Sequence, residues 1–572
     1  MHLTDEKLTR RPRRFYPEDL NIESWDVVKA ELQKLLDTPL ASADELIAWV
    51  EQTSELVFII NDHVAWLYIK MTCKADDEAR EKAFNDFYAN IITPFKPIDF
   101  KLQKKFYNSP HRKALDPATY AHLNRIVANE IEMFREKNVP LQQQEKELAN
   151  KYGGIMGGLT VDYDGREQTL KQMGIYQKNR DRSVREETWK LTANRIADEA
   201  ERFDELFDKL KALRIQEAHN ADFDNYRDYS HQAMGRFAYT PDDVFRFHDS
   251  VAEHVVPFIG KLNDHRREVL GISTLRPWDK GVDLDGKTLH PFTDSDELID
   301  KSLDALYKVK PVFAMQLARM RNSDYLDLDN RKGKAPGGYN YGIEEDGASF
   351  IFMNSVGLHD DVVTLLHEAG HAAHSGAIAP RINIIQYRDV PSELAELASM
   401  AMELLTMDHW DVFYSDPEDL RKARREQLEG TLKFLPWCMI VDALQQWIYT
   451  NPDHTPQQRR EFFTSLLDRF QPDTDWSGLE NFKGTLWHRQ LHIFEIPFYY
   501  IEYGISQLGA LAIYRNYRRD PKKTVEQYER FLQLGYTKPM NEAFEAAGIK
   551  FDFSGDYLRS LVDFVREELA KL

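Results

Sequence analysis

DDVVTLLHEAGHAAHS, residues 360–375, carries Val362, Leu365, Leu366, Ala369 and Ala373 at spacings of three and four. That is the period of an α-helix with one buried stripe, about four turns long. His367 and His371 then leave adjacent turns of one face. Two imidazoles at i and i+4 can share one Zn²⁺ at roughly 2.0–2.1 Å each, and Glu368 between them can reach a metal-bound water as general base. The arrangement is a hydrolase's, and it needs a third ligand.

Downstream, RDVPSELAELASMAMELLTMDHW (388–410) opens a second helix at Pro391 and Ser392 and meets no breaker until Asp408. Glu393, Glu396 and Glu403 stand at offsets of three and seven, on one face. A carboxylate from this face would complete a His₂Glu site with one position left for water, as catalytic zinc requires. Leu394, Leu397, Met400, Met402 and Leu404 make the helix apolar nearly all round, so its carboxylates are expected to be buried, where they need a cation or a metal. His374 shares the first helix's face, but a rise of roughly 5.4 Å per turn puts it too far from an ion held by the first two turns. A supporting or substrate-facing place is open to it.

The remaining chain fits a large folded enzyme. It has 572 residues, 42% hydrophobic and 12% aromatic, enough for a core of several layers and against disorder. A formal charge of −20 disfavours nucleic acid and anionic membrane as general partners, because those polyanions bind basic surfaces. Cys73 and Cys438 are the only cysteines, so neither a disulfide framework nor a cysteine cluster for the metal is expected. The basic N-terminus is not followed by an apolar run, and no stretch approaches the length of a transmembrane helix. A cytoplasmic location is expected.

Residues 1–20 read as an extended arm whose RRPRR cluster is solvated. From 22 to 150 the pattern is helical almost throughout, and it is helical again from 391 to 572. Between them, LTVDYDGREQTL predicts a β-hairpin turning at Asp164-Gly165. Residues 265–300 are turn-rich. ASFIFMN (348–354) predicts a strand just before the histidine helix, either an edge strand able to hold an extended peptide by its backbone or one that only packs under the helix. The expected division is an N-terminal helical region, 1–150, followed by a catalytic region, 151–572. Within the latter the metal core is placed at 333–407 and a helical wall at 408–572.

GKAPGGYNYGIEEDGASFIFMNSVGLHDDVVTLLHEAGHAAHS (333–375) and VPSELAELAS (390–399) resemble the thimet oligopeptidase and oligoendopeptidase F family of zinc metallopeptidases. WHRQLHIFEIPFYYIEYGISQLGALAIY (487–514) resembles that family's C-terminal segment, and GGLTVDYDGREQTL, DRSVREETW and LPWCMIVDALQQWIYTNPDH are similar to its oligoendopeptidase F branch. The resemblance implies a mainly α fold of two helical halves around a deep substrate channel, with a small β-sheet beside the zinc helix. It singles out Glu396, 29 residues after the first histidine, as the third ligand of one Zn²⁺ per chain. Glu403 is implied to orient an imidazole N–H from behind. His492, Tyr500 and Tyr503, with Tyr499 as a weaker candidate, are implied to reach the scissile carbonyl, where preorganised donors stabilise an oxyanion. Gly337, Gly338, Tyr339, Ser349, Phe350 and Tyr499 are the expected substrate contacts. Asn340 and Tyr341 depart from relatives, which often carry smaller residues there.

The expected function is therefore zinc-dependent hydrolysis of internal bonds in short peptides, with Glu368 as general base. Two alternatives stand beside it. One is a metallocarboxypeptidase with Arg489 or Lys483 receiving the substrate's terminal carboxylate. The other is a non-catalytic peptide-binding protein with a closed, structural zinc site.

Overall fold

The computed structural model describes residues 3–572. The chain forms two compact units, neither contiguous in sequence. The first comprises Met1–Glu132, Leu289–Arg424 and Ser506–Phe551, and the second Met133–Thr288, Arg425–Ile505 and Asp552–Leu572. This partition follows packing, whereas the expected boundary at 150 followed sequence texture. Helices dominate both units and sheets are small, so the fold is mainly α.

In the first unit, the N-terminal helices share one apolar core with the segment leaving the histidine helix. Leu46, Trp49, Ile60 and Phe106 pack with Ile378, Ile382, Ile384 and Tyr387. The arm before them is tied down by its basic cluster. Arg10 and Arg13 pair with Glu345, Arg13 at 2.7 Å, and Arg14 pairs with Glu51 at 2.9 Å. The Glu55 carboxylate accepts the backbone N–H groups of Arg14, Phe15 and Tyr16. The expectation of a solvated RRPRR segment is thus corrected: acidic partners are waiting on the unit's surface.

Three carboxyl groups lie close under this core. Burial pushes Asp99 up to about 6. Burial, helped by the charges of Asp99 and Asp389, pushes Glu130 up to about 7, and Asp389 is raised by burial as well. A carboxyl with a raised folded pKa keeps its proton better folded than unfolded. Its stabilising contribution is therefore full at low pH and is lost as pH rises through the folded value. Asp99→Asn combined with Glu130→Gln should raise the melting temperature at pH 8 relative to the parent chain by about 2 °C or more, and by less at pH 5. Calorimetric scans at the two pH values check this, and equal shifts at both would refute it.

The sheet that supports the site belongs to the same unit. Its strands are β3 (Leu326–Asp329), β4 (Tyr339–Ile343) and β5 (Ala348–Ser355), in the order β3-β5-β4. β5 runs parallel to β3 and antiparallel to β4, with Tyr341 opposite Phe350 and Gly342 opposite Ser349. Six consecutive residues of β5 are buried, as suits a strand covered on both faces. Sequence reading finds β5 and misses β3 and β4, whose four and five residues alternate too briefly to stand out. It also allows β5 to be an edge strand, which the structure corrects. β5 is hydrogen-bonded on both sides, and the edges are β3 and β4. The Asp62 carboxylate pins the β4–β5 turn by accepting from the backbone N–H of Glu344 and Glu345 at 2.6 and 2.8 Å.

The second unit holds the predicted hairpin. Its strands are β1 (Thr160–Tyr163) and β2 (Arg166–Thr169), and both Asp164 and Gly165 have positive φ, as a tight two-residue turn demands. Trp189, Trp278 and Leu479 form a small aromatic core nearby, flanked by Trp476 and Phe482.

Candidate metal centre

β5 leads through Gly357, whose φ is +87°, into the helix His359–Ile378. Asp361 fixes the entry by accepting from the backbone N–H groups of Val356 and Leu358, both at 2.9 Å. With Asp360 it also places negative charge on the helix's first turn, where the macrodipole favours it. The predicted stripe is inside: Val362, Leu365 and Leu366 are fully buried.

The acidic helix, Ser392–Met407, crosses this one at Gly370. A Cβ there would stand 2.5 Å from the Ser399 Cα and 2.9 Å from the Ala398 carbonyl oxygen, a distance no real side chain tolerates. The crossing therefore requires glycine, and it lays one face of the acidic helix against the two histidines. Glycine in a helix interior costs about 1 kcal/mol relative to alanine. That local cost was the signal in the sequence, and reading HEAGH only for its ligands overlooks it.

His367, His371 and Glu396 come together so that one nitrogen or oxygen of each lies within 4.8 Å of the others. His367 Nε2 and His371 Nε2 stand 3.3 and 3.9 Å from Glu396 Oε2. The imidazoles are nearly perpendicular, their centroids 5.0 Å apart. Behind them, His367 Nδ1 meets Glu403 Oε1 at 2.7 Å. Glu403 only accepts, so Nδ1 carries the proton of that bond and Nε2 faces the cluster. Glu393 is buried one turn earlier and lies outside the group. His374 is buried against Phe531 at 5.7 Å, and burial, with the charge of His371, lowers its pKa to about 3. It packs as a neutral core histidine.

The electrostatics show what the cluster asks for. Burial disfavours charge on His367, yet its bonds to Glu396 and Glu403 hold its pKa well above the ordinary imidazole value. Burial and the charge of His367 push His371 down to about 4. Glu396 is held below the usual carboxylate value, the pull of His367 and His371 outweighing its burial. Burial, assisted by Glu396 and Glu403, pushes Glu368 up to about 7. Its Oε2 is buried without a hydrogen-bond partner among the described residues. A proton on His367 answers two carboxylates in the chain alone. A divalent ion between two neutral imidazoles and a carboxylate would answer them better, so the donor set fits such an ion.

Beside the cluster, Asn340 of β4 donates its side-chain N–H to the Glu368 carbonyl at 3.2 Å, a link the sequence reading did not foresee. Tyr339 stacks on Phe352 at 4.7 Å and shares a 2.5 Å hydrogen bond with Thr72. Gly337 adopts φ +95°, and a Cβ on Gly338 would press the Phe352 carbonyl at 3.2 Å. Ser349 and Phe350 are buried inside β5, with their backbone already paired to β4.

The second unit brings His492, Tyr499, Tyr500 and Tyr503 into one aromatic cluster. The His492 ring lies 4.7 Å from Tyr500, 6.0 Å from Tyr503 and 6.2 Å from Tyr499. Gln490 sets its tautomer. The Gln490 Oε1 accepts from the Trp437 indole N–H at 2.8 Å, so its amide N–H₂ faces His492 Nδ1 at 2.7 Å. Nδ1 then accepts and Nε2 carries the proton. Burial lowers the His492 pKa, which keeps the ring neutral.

An HExxH helix crossed by a glutamate-bearing helix, in a mainly helical fold, belongs to the metallopeptidase class. The sequence pattern of Peptidase family M3 matches residues 175–563, and that of the Peptidase M3 N-terminal domain matches residues 15–134. An oligoendopeptidase F homolog of Lactococcus lactis is 21% identical, with 99% of this chain and 97% of the relative aligned. A group B oligopeptidase of Streptococcus agalactiae is also 21% identical, over 96% and 94%. A solved structure of Pz peptidase A with an inhibitor superposes with a TM-score of 0.88 at 26% identity, covering 98% of this chain and 99% of that one. The chain belongs to peptidase family M3, in its oligoendopeptidase F-like branch, and is a metalloendopeptidase. A metal cofactor goes with that membership. Among the described residues, no helix is long and apolar enough to cross a membrane.

Proposed function

We propose that the chain is a zinc-dependent oligoendopeptidase that cleaves internal bonds of short peptides in the cytoplasm, with His367, His371 and Glu396 holding one Zn²⁺. The observation that carries this reading is the convergence of those three donors, with Glu403 bonded behind His367. When bound, the ion would supply Lewis acidity toward the scissile carbonyl and toward water.

The chain's own residues do the rest. Glu403 fixes the His367 ring and its tautomer. Glu368, buried and without a partner for Oε2, takes the proton of the attacking water and returns it to the leaving amine. His492, through its Nε2–H, and the hydroxyls of Tyr500 and Tyr503 donate to the oxyanion that develops on the substrate. Each such donor is worth about 3 kcal/mol. β4 replaces β5 as the strand to which an extended peptide adds: its outer edge has no strand partner among the described residues, and its Asn340 bonds the Glu368 carbonyl. The loop of Gly337 and Gly338 and the Tyr339 ring lie at the start of that edge, and Tyr499 completes the proposed substrate contacts.

Of the two alternative receivers of a terminal carboxylate in the carboxypeptidase reading, Arg489 or Lys483, Lys483 is already paired with Asp468. The test uses peptides blocked at both ends. An endopeptidase cuts them internally, mass spectrometry locates the cut, and a chelator stops the reaction until Zn²⁺ is restored. Trimming only of peptides with a free C-terminal carboxylate would instead establish the carboxypeptidase reading.

A further inference from the structure

We infer that Arg236, together with Gln445 and Glu502, is a positioning device for the His492–Tyr500–Tyr503 cluster. It holds the left-handed backbone at Phe498 from which the tyrosine-bearing helix begins. The inference deepens the proposed mechanism and rests on it for its link to turnover.

Four non-glycine residues among those described have positive φ. Three are Asp164, Asp222 and Asp324, of a residue type that tolerates the conformation at turns. The fourth is Phe498, at +66°. A bulky ring in that region is a strained outlier, which persists only where its surroundings over-determine it. Here they do. The Phe498 N–H donates to Gln445 Oε1 at 2.9 Å, and its carbonyl accepts from Arg236 Nη2 at 2.6 Å. The same nitrogen donates to Glu502 Oε1 at 2.7 Å, in the first turn of the helix Tyr500–Arg519. The Phe498 ring packs against Tyr449 and Tyr226.

One guanidinium therefore ties the strained residue to the helix that follows it, and every member is buried: Gln445 fully, and Phe498, Glu502 and Arg236 to within 2, 3 and 5% exposure. A buried ion pair is weak evidence for stability, because desolvation offsets its attraction. Its place explains it better. Tyr499 and Tyr500 are the next two residues along the chain, and the Tyr500 carbonyl is held separately by the Cys438 thiol at 3.2 Å. If Phe498 relaxed to negative φ, the chain would enter the helix in a different direction and carry the phenols away from His492.

Arg236→Lys keeps a positive charge but replaces the planar guanidinium, whose Nη2 meets both the Phe498 carbonyl and Glu502, with a shorter side chain ending in a tetrahedral ammonium. Gln445→Leu removes the acceptor for the Phe498 N–H. Both variants should keep a full complement of metal and a KM within about twofold of the parent, while kcat falls about 10- to 100-fold, as expected for donors displaced by less than an ångström. The His492 imidazole resonance in histidine-labelled protein, shifted by the Tyr500 ring, should move in both. An unmoved resonance, or a fall in kcat that tracks melting temperature or metal loss, overturns the inference. Tyr500→Phe and Tyr503→Phe separate it from the reading beneath it. If those variants stay fully active while the resonance still moves in Arg236→Lys, the positioning stands and the oxyanion assignment fails.

Discussion

Glu368→Gln should lower kcat on an end-blocked peptide by about 10³- to 10⁴-fold and leave the protein folded with its metal. The amide has the carboxylate's shape but cannot accept the proton of the attacking water. Glu368 is not one of the three converging donors, His367, His371 and Glu396, so its charge is not needed to hold the ion. Its Oε2 has no hydrogen-bond partner to lose among the described residues, which limits the effect on folding. The measurements are kcat by a fluorogenic blocked peptide and metal stoichiometry by elemental analysis on one preparation. Turnover within tenfold of the parent would remove Glu368 from the mechanism and favour a structural metal.

Glu396→Ala should produce the second large effect, the loss of both metal and activity. It removes one of three converging donors and leaves His367 and His371 facing an apolar gap. Dialysis against a weak chelator should strip the variant to well below one ion per chain while the parent stays loaded. Glu403→Gln is the graded comparison: the ligand remains but its orientation is loosened, which typically costs about 10- to 100-fold in metal affinity. Glu393→Gln, one turn before Glu396 and outside the donor group, should keep the ion. Metal retained in Glu396→Ala and lost in Glu393→Gln would reassign the third donor.

The sequence is most legible where chemistry and periodicity coincide. HEAGH puts forward two candidate donors and a candidate base, and the apolar stripe at Val362, Leu365 and Leu366 places them on a buried helix. Periodicity narrows the third donor to one face of the next helix. Choosing Glu396 there took family resemblance, and in the structure Glu396 is the glutamate that joins the two histidines. The hairpin at Asp164-Gly165 is legible because a positive-φ pair has its own residue code. Other features are invisible along the chain because they are made in space. β4 becomes an edge only once β5 is known to be central. Gln490 orients His492 only because Trp437, 53 residues away, has nothing but a donor to offer. Arg236 reaches Phe498 across 262 residues.

Gly370 makes the gap between the two donor-bearing helices a main-chain quantity. Side chains at a helix interface can absorb misfit by changing rotamer, but two backbones in contact have no such freedom. The backbones that carry the imidazole and carboxylate donors are therefore set at a fixed separation when the chain folds. The conformational entropy of assembling them is spent in folding, and an arriving ion would find little left to order.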